Sequence, residues 1–263
     1  MYYENNLGKV YYEAYGPESG AGLFFFHGVS IDHETFKTQV EALKDRYRVV
    51  VWDMPYHGLS SPIDYKLQFS ATAADFAVAI MDALNMEQAV HVGQSLGSFV
   101  AQQLAYRYPE RTRASVHIGG GPLYPRSHPI LKAANPFIPL MLNLYPERLL
   151  YQAFAKHKAL TEETKAYLVE KSSKTGKKII AHLTQEMYRD MVKGIPKQTI
   201  EPMLLCYGDH DLPFIKRMSQ KWHRRTPHSV LAEVKDAHHI ANQDNPGDFN
   251  RILLSFLEGG KDL

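Results

Sequence analysis

The chain has 263 residues, 44% of them hydrophobic and 22% charged, and carries a formal net charge of +2 with histidine neutral. This is the composition of an ordinary globular protein, long enough for one large α/β domain with a substantial core. The near-neutral balance supplies no strong field for nucleic acid or an anionic membrane, and no apolar run approaches the length of a membrane span.

Strand-like and helix-like segments alternate along the chain, which predicts a parallel sheet with helices on both faces. Met1 to Val10 carries neither an apolar leader nor a basic one, so a cytoplasmic protein is expected. Residues 10–15 read as an early strand. Residues 23–26 form a continuous apolar run ending in His27-Gly28, the pattern of a buried strand followed by a turn. Further strands are expected at 48–53, 90–93, 114–118, 203–207 and 230–234. Cys206, the only cysteine, lies in one of these runs and reads as a buried structural thiol rather than a reactive one.

Helices are expected between the strands. Ser70 or Thr72 can cap the first, with Phe76, Ala77, Ile80, Met81 and Leu84 on one face. A second runs over 96–107 and is closed by Pro109. Pro246 opens the last, with Phe249, Ile252, Leu253 and Phe256 as its apolar stripe.

From about Gly121 to Pro202 no strand is expected. A stretch studded with Pro122, Pro125, Pro129, Pro136 and Pro139 precedes helical patterns at 147–157, 162–172 and 177–193. An all-helical insertion, 121–202, between core segments 1–120 and 203–263 reads as a cap over the sheet edge where α/β proteins bind ligands. The run Lys171, Lys174, Lys177, Lys178 reads as a solvated helix end, since it lacks a phosphate-loop pattern and interleaved aromatics. Gly119-Gly120-Gly121 reads as a tight strand exit.

The strongest chemical signal is Gly93-Gln94-Ser95-Leu96-Gly97, a G-x-S-x-G pattern with a strand before it and a helix after it. Such a turn raises the serine hydroxyl clear of the sheet, and the helix starting at Leu96 aims its positive end at developing negative charge. A serine hydroxyl is a weak nucleophile until a base takes its proton. Candidates stand after two later strands: Asp209 or Asp211 in Gly208-Asp209-His210-Asp211, and His238 or His239. A metal-binding role for the adjacent histidines is disfavoured, because neighbouring side chains diverge and no HExxH pattern accompanies them. His57 and His210 read as structural or pocket-lining.

Four patterns therefore occur in order: His27-Gly28-Val29, Asp53-Met54-Pro55-Tyr56-His57-Gly58-Leu59-Ser60, the serine turn, and the Asp and His loops. With them the chain resembles the α/β-hydrolase superfamily over nearly its whole length. The resemblance implies a mostly parallel eight-stranded sheet with a helical cap after the sixth strand. It selects Asp211, the last residue of a Gly-(Glu/Asp)-x-Asp turn, as the acid. It selects His239, seven residues before Pro246, as the base. It places the oxyanion donors at the backbone N–H groups of Val29 and Leu96, and sets Phe36 and His27 beside the substrate, with Phe36 equally open to an ordinary core role. Tyr56 and His238 stand where relatives commonly carry glycine, so substrate preference does not transfer.

The implied chemistry is acyl transfer to water without metal or organic cofactor, on a small to medium carboxylic ester or lactone. Serine in the turn argues against haloalkane dehalogenase or epoxide hydrolase chemistry, which uses aspartate there. Carbon–carbon bond hydrolysis, amide hydrolysis, peracid formation and a ligand-binding sensor role are the alternatives the same residues permit. A monomer or homodimer with no nucleic-acid or membrane partner is expected.

Overall fold

The structure, a computed structural model, describes residues 1–124, 132–133 and 135–259. Of the prolines noted above, Pro125 and Pro129 lie outside the described residues. Eight strands form one sheet: β1 (Tyr2–Asn5), β2 (Gly8–Tyr15), β3 (Ala21–Phe26), β4 (Tyr47–Trp52), β5 (Ala89–Gln94), β6 (Thr112–Ile118), β7 (Met203–Gly208) and β8 (Ser229–Val234). Their order across the sheet is β1-β2-β4-β3-β5-β6-β7-β8. The β1–β2 and β2–β4 pairs are antiparallel and the rest parallel. The expected α/β architecture is thus the observed one.

Alternation along the strands divides the core. Leu23 and Phe25 of β3 join Val49 and Val51 of β4 in one cluster, while Phe24, Phe26, Val50 and Trp52 join the other. Both faces are apolar because both are covered. Helix α1 (Lys37–Leu43) and the last helix, α10 (Pro246–Leu257), cover one face through Val40, Leu43, Phe249, Ile252 and Leu253. Helices α2 (Phe69–Ala83) and α3 (Leu96–Arg107) cover the other through Phe76, Ile80, Phe99 and Leu104. On that side α8 (Pro213–Arg224) brings Trp222 onto Met203 and Leu205. Asn245 caps α10 by accepting the Asp248 N–H at 3.1 Å, with Pro246 in the first turn.

The start of α2 differs from expectation. The helix begins at Phe69, and neither Ser70 nor Thr72 caps it. The Ser70 hydroxyl donates instead to Asp190, so a distant carboxylate outcompetes the local cap.

Between β6 and β7 the described elements are helical: α4 (Ile138–Leu144), α5 (Glu147–Lys158), α6 (Glu162–Thr175) and α7 (Lys177–Lys193). This segment is pinned to the sheet's loops. The Ser172 hydroxyl bonds that of Ser30 at 3.0 Å, and the Tyr167 hydroxyl donates to Asp32 Oδ1 at 2.8 Å. The Asp244 carboxylate accepts the N–H groups of Leu160 and Thr161. A four-residue helix, α9 (Ala241–Asp244), carries that carboxylate.

Sheet order reverses at β3. The chain passes from β3 to β4 on one side and returns to β5 on the other. In open α/β sheets ligands bind in the crevice outside the strands' carboxyl ends at such a reversal, and here the loop after Phe26 meets Ser95, a Cβ on Gly28 standing 3.4 Å from the Ser95 Cβ.

Candidate active site

Ser95 ends β5 and precedes α3 with φ 51° and ψ −111°. Few L-residues adopt a positive φ, so the turn is strained. The flanking glycines permit it. A Cβ on Gly93 would stand 2.4 Å from the Gly97 carbonyl oxygen, and one on Gly97 would stand 2.0 Å from the Phe26 carbonyl oxygen. The Ser95 N–H donates to the Ile118 carbonyl at 2.9 Å, tying the turn to β6. The Ser95 hydroxyl makes no hydrogen bond among the described residues.

His239 lies on the loop after β8. Its Nδ1 meets Asp211 Oδ2 at 3.0 Å, and both side chains are buried. The other Asp211 oxygen accepts the Leu212 N–H at 2.7 Å. A ring nitrogen facing a carboxylate carries the proton, which leaves His239 Nε2 as the acceptor nitrogen. Asp209 turns elsewhere and accepts the Ala237 N–H at 3.0 Å. His238 Nδ1 accepts the His239 N–H at 2.9 Å, and burial is the chief cause holding its pKa below the ordinary histidine value. The structure therefore pairs Asp211 with His239, and neither Asp209 nor His238 takes part in that contact.

The Val29 and Leu96 N–H groups, both on buried residues, donate to no acceptor among the described residues. Buried N–H groups without partners are rare, and that of Leu96 opens α3 directly after Ser95.

The side chains of Phe36 and His27 are both fully buried. The Phe36 ring packs on Phe25 with ring centroids 4.9 Å apart. The His27 Nδ1 donates to the Gly28 carbonyl at 2.8 Å, and its Nε2 accepts the Met54 N–H at 2.9 Å. Burial pushes its pKa down to about 3, so it is a neutral pin for the loop that carries Val29. His57 serves the same loop, accepting the Ser30 N–H at 3.2 Å, and burial pushes it down to about 4.

Asp53 holds the neighbouring turn. It accepts the N–H and Nδ1–H of His33 at 2.9 and 2.7 Å and the Leu59 N–H at 2.8 Å. Burial alone would raise its pKa, but the hydrogen bond from His33 and the nearby histidines hold it below the usual carboxylate value. Burial pushes the Cys206 thiol up to about 12, so it stays protonated in the sheet.

Sequence reasoning missed three contributors. Gln94 occupies a variable position of the serine motif, yet its Nε2 donates to the His239 carbonyl at 3.4 Å. Gly119 lies under the His239 ring and has a φ of +58°. Lys158, at the end of α5, accepts the Ile240 N–H on its carbonyl at 3.0 Å. The glycine run after β6 was a visible signal for the second of these. Nothing local distinguishes Gln94 or Lys158.

Two other features lie apart from Ser95. A groove of about 550 Å³ is lined by Glu13, His33, Glu34 and Tyr167 among others, and holds none of Ser95, Asp211 and His239. Asp209, His210 and Asp236 gather possible metal-ligating atoms within 4.8 Å of one another, with Asp236 and His210 exposed. Among the described residues, no helix is long and apolar enough to cross a membrane.

Comparison with known proteins agrees with this architecture. Residues 23–246 match the sequence model of a family described as alpha/beta hydrolase fold. An uncharacterized hydrolase of Bacillus subtilis, YugF, is 24% identical over 95% of this chain and 94% of its own length. The carboxylesterase YbfK of the same organism is 23% identical over 99% of this chain and 88% of its own. The structure of a thermophilic esterase from Thermogutta terrifontis superposes with a TM-score of 0.80 at 18% identity, covering 100% of both chains.

Proposed function

The chain belongs to the α/β-hydrolase fold family, and we propose that it is a serine hydrolase cleaving a small to medium carboxylic ester or lactone through an acyl-enzyme on Ser95. One observation carries this reading: His239 is held by the buried Asp211 carboxylate, and its loop is tied to the strained serine turn through Gln94, which precedes Ser95 and donates to the His239 carbonyl.

The chemistry follows from the geometry. His239 Nε2 takes the Ser95 proton as the hydroxyl oxygen attacks the ester carbonyl. The resulting oxyanion accepts the N–H groups of Val29 and Leu96. The intermediate collapses, and His239 gives its proton to the departing alcohol oxygen. Water then attacks the acyl-enzyme by the same route in reverse and releases the carboxylic acid. Asp211 keeps the His239 proton on Nδ1 and stabilises the imidazolium. The unliganded Ser95 hydroxyl need not already bond His239, because catalytic hydrogen bonds commonly tighten when substrate arrives. Similarity to a carboxylesterase along almost the whole chain supports an ester as the substrate. Helices α5 and α6, pinned to the loops of Ser30 and Asp244, would roof the crevice.

The test is labelling by a fluorophosphonate probe together with turnover of short aryl esters. Wild-type protein should do both, and Ser95→Ala neither. A wild-type protein that is folded yet neither labelled nor active on any ester overturns the reading.

A further inference from the structure

Lys158 is the residue on which the helical insertion meets the histidine loop. Its carbonyl accepts the Ile240 N–H, and the N–H groups of Leu160 and Thr161, two and three residues on, go to Asp244. One turn earlier Ala155 packs with Ile31 and Ile240, and Phe154 packs both there and against the cluster holding Val29 and Leu96. The backbone at Lys158 is therefore fixed between the loops bearing Val29 and His239.

Its ammonium lies 4.4 Å from the centre of the Phe154 ring. Three other lysines of the insertion are paired with carboxylates: Lys165 with Glu162, Lys174 with Glu170, and Lys171 with Asp32 and Glu34. Lys158 has no such partner among the described residues. The negative charge acting on it is Asp211, which is already engaged by His239 and Leu212. Burial pushes the Lys158 pKa down to about 8. A partly buried cation without a counter-ion is unfavourable and is relieved by an anion that arrives with a ligand.

We propose that Lys158 is the anion-binding group of the substrate site, pairing with a carboxylate on the ester or lactone while Ser95 attacks the carbonyl. The inference rests on the serine-hydrolase reading and names its substrate class: esters or lactones that carry a second, free carboxylate. The aromatic face of Phe154 holds the ammonium from one side.

Two 4-nitrophenyl esters with the same leaving group test this, neutral butyrate and anionic hemiglutarate. The readout is the ratio of kcat/KM for hemiglutarate over butyrate. Because both rates come from one protein sample, the folded fraction cancels. Lys158→Met should lower the ratio by roughly 10- to 100-fold, the range of a lost charge-assisted hydrogen bond, chiefly through KM. Lys158→Arg should restore most of it. An unchanged ratio in Lys158→Met overturns the proposal. Glutarate binding to the wild-type protein and Lys158→Met, measured calorimetrically, separates the two readings. If no ester is turned over, the serine reading falls. Glutarate binding lost in Lys158→Met then supports the anion site, and binding that is absent or unaffected overturns it.

Discussion

The His239 imidazole rests directly on the backbone of Gly119. A Cβ at that position would stand 2.8 Å from both Cε1 and Nδ1 of the ring, and 3.5 Å from Asp211 Oδ2. Gly119 also has a φ of +58°, so a side chain there meets both a crowded ring and a disfavoured backbone. Gly119→Ala should displace the imidazole from its carboxylate. Misplacement by about 1 Å costs on the order of 100-fold in rate, so kcat/KM on an aryl ester should fall by about that factor while the protein stays folded. Near-wild-type kinetics in a folded variant would show that the ring position is not critical.

The strain at Ser95 gives a prediction of opposite sign for stability and activity. Its φ of 51° and ψ of −111° mirror an extended conformation that glycine adopts freely. Holding an L-residue there costs about 1–3 kcal/mol, partly offset by the entropy glycine loses on folding. Ser95→Gly should raise stability by about 1 kcal/mol and Tm by about 2–4 °C, and abolish turnover. Ser95→Ala keeps the strain and should abolish turnover without the gain. Equal melting temperatures for the two variants would contradict strain as the cause.

Much of this architecture is legible because burial writes a period into the chain. The 23–26 run alternates between two covered faces, and its continuous apolarity announces β3. Strand β1 escapes notice because Tyr2–Asn5 is an edge pairing whose residues are half-buried or exposed, leaving no apolar run. Helix α8 escapes because only Ile215, Ser219 and Trp222 of its twelve residues are buried, and five of the other nine are basic. Within the site, Ser95, Asp211 and His239 stand in motifs whose spacing carries the chemistry. Gln94, Gly119 and Lys158 each contact the histidine loop 82 or more positions away along the chain, and no local pattern encodes those contacts. Ser70 illustrates the converse, since a good capping residue is taken by Asp190 from another helix.

Buried histidines make acid stability a separate test. His91 is fully buried, its Nε2 donates to the Arg111 carbonyl at 3.1 Å, and burial pushes its pKa from 6.5 down to about 4. The unfolded chain therefore binds a proton below about pH 6.5 that the folded chain refuses until about pH 4. Its contribution is fully present above pH 6.5 and is lost as pH falls toward 4, reaching about 2 kcal/mol at pH 5. Carboxyls raised by burial, such as Asp190 and Glu201, act in the opposite direction, so the whole-protein slope is a difference. His91→Gln keeps a donor for Arg111 and removes the titration. Stability measured by urea unfolding between pH 7 and 4.5 should then depend on pH by about one proton less than in the wild type. An identical slope would mean that His91 is protonated in the folded protein.

The two aspartates of the loop after β7 are two positions apart and differ in their hydrogen bonds. Asp211 is buried against the His239 ring, whereas Asp209 is partly open and holds the Ala237 N–H. Asp211→Asn keeps the volume but offers an amide that can present N–H to the imidazole, favouring the tautomer whose Nε2 cannot accept the Ser95 proton. A drop in kcat of about 10⁴-fold follows from a loss of that kind. Asp209→Asn retains an oxygen for Ala237 and leaves the imidazole untouched, so kcat should stay within a few-fold while Tm falls slightly. Steady-state kinetics of both variants on one aryl ester settle the assignment. A large loss in Asp209→Asn with little change in Asp211→Asn would move the acid to Asp209 and require the loop to rearrange when substrate binds.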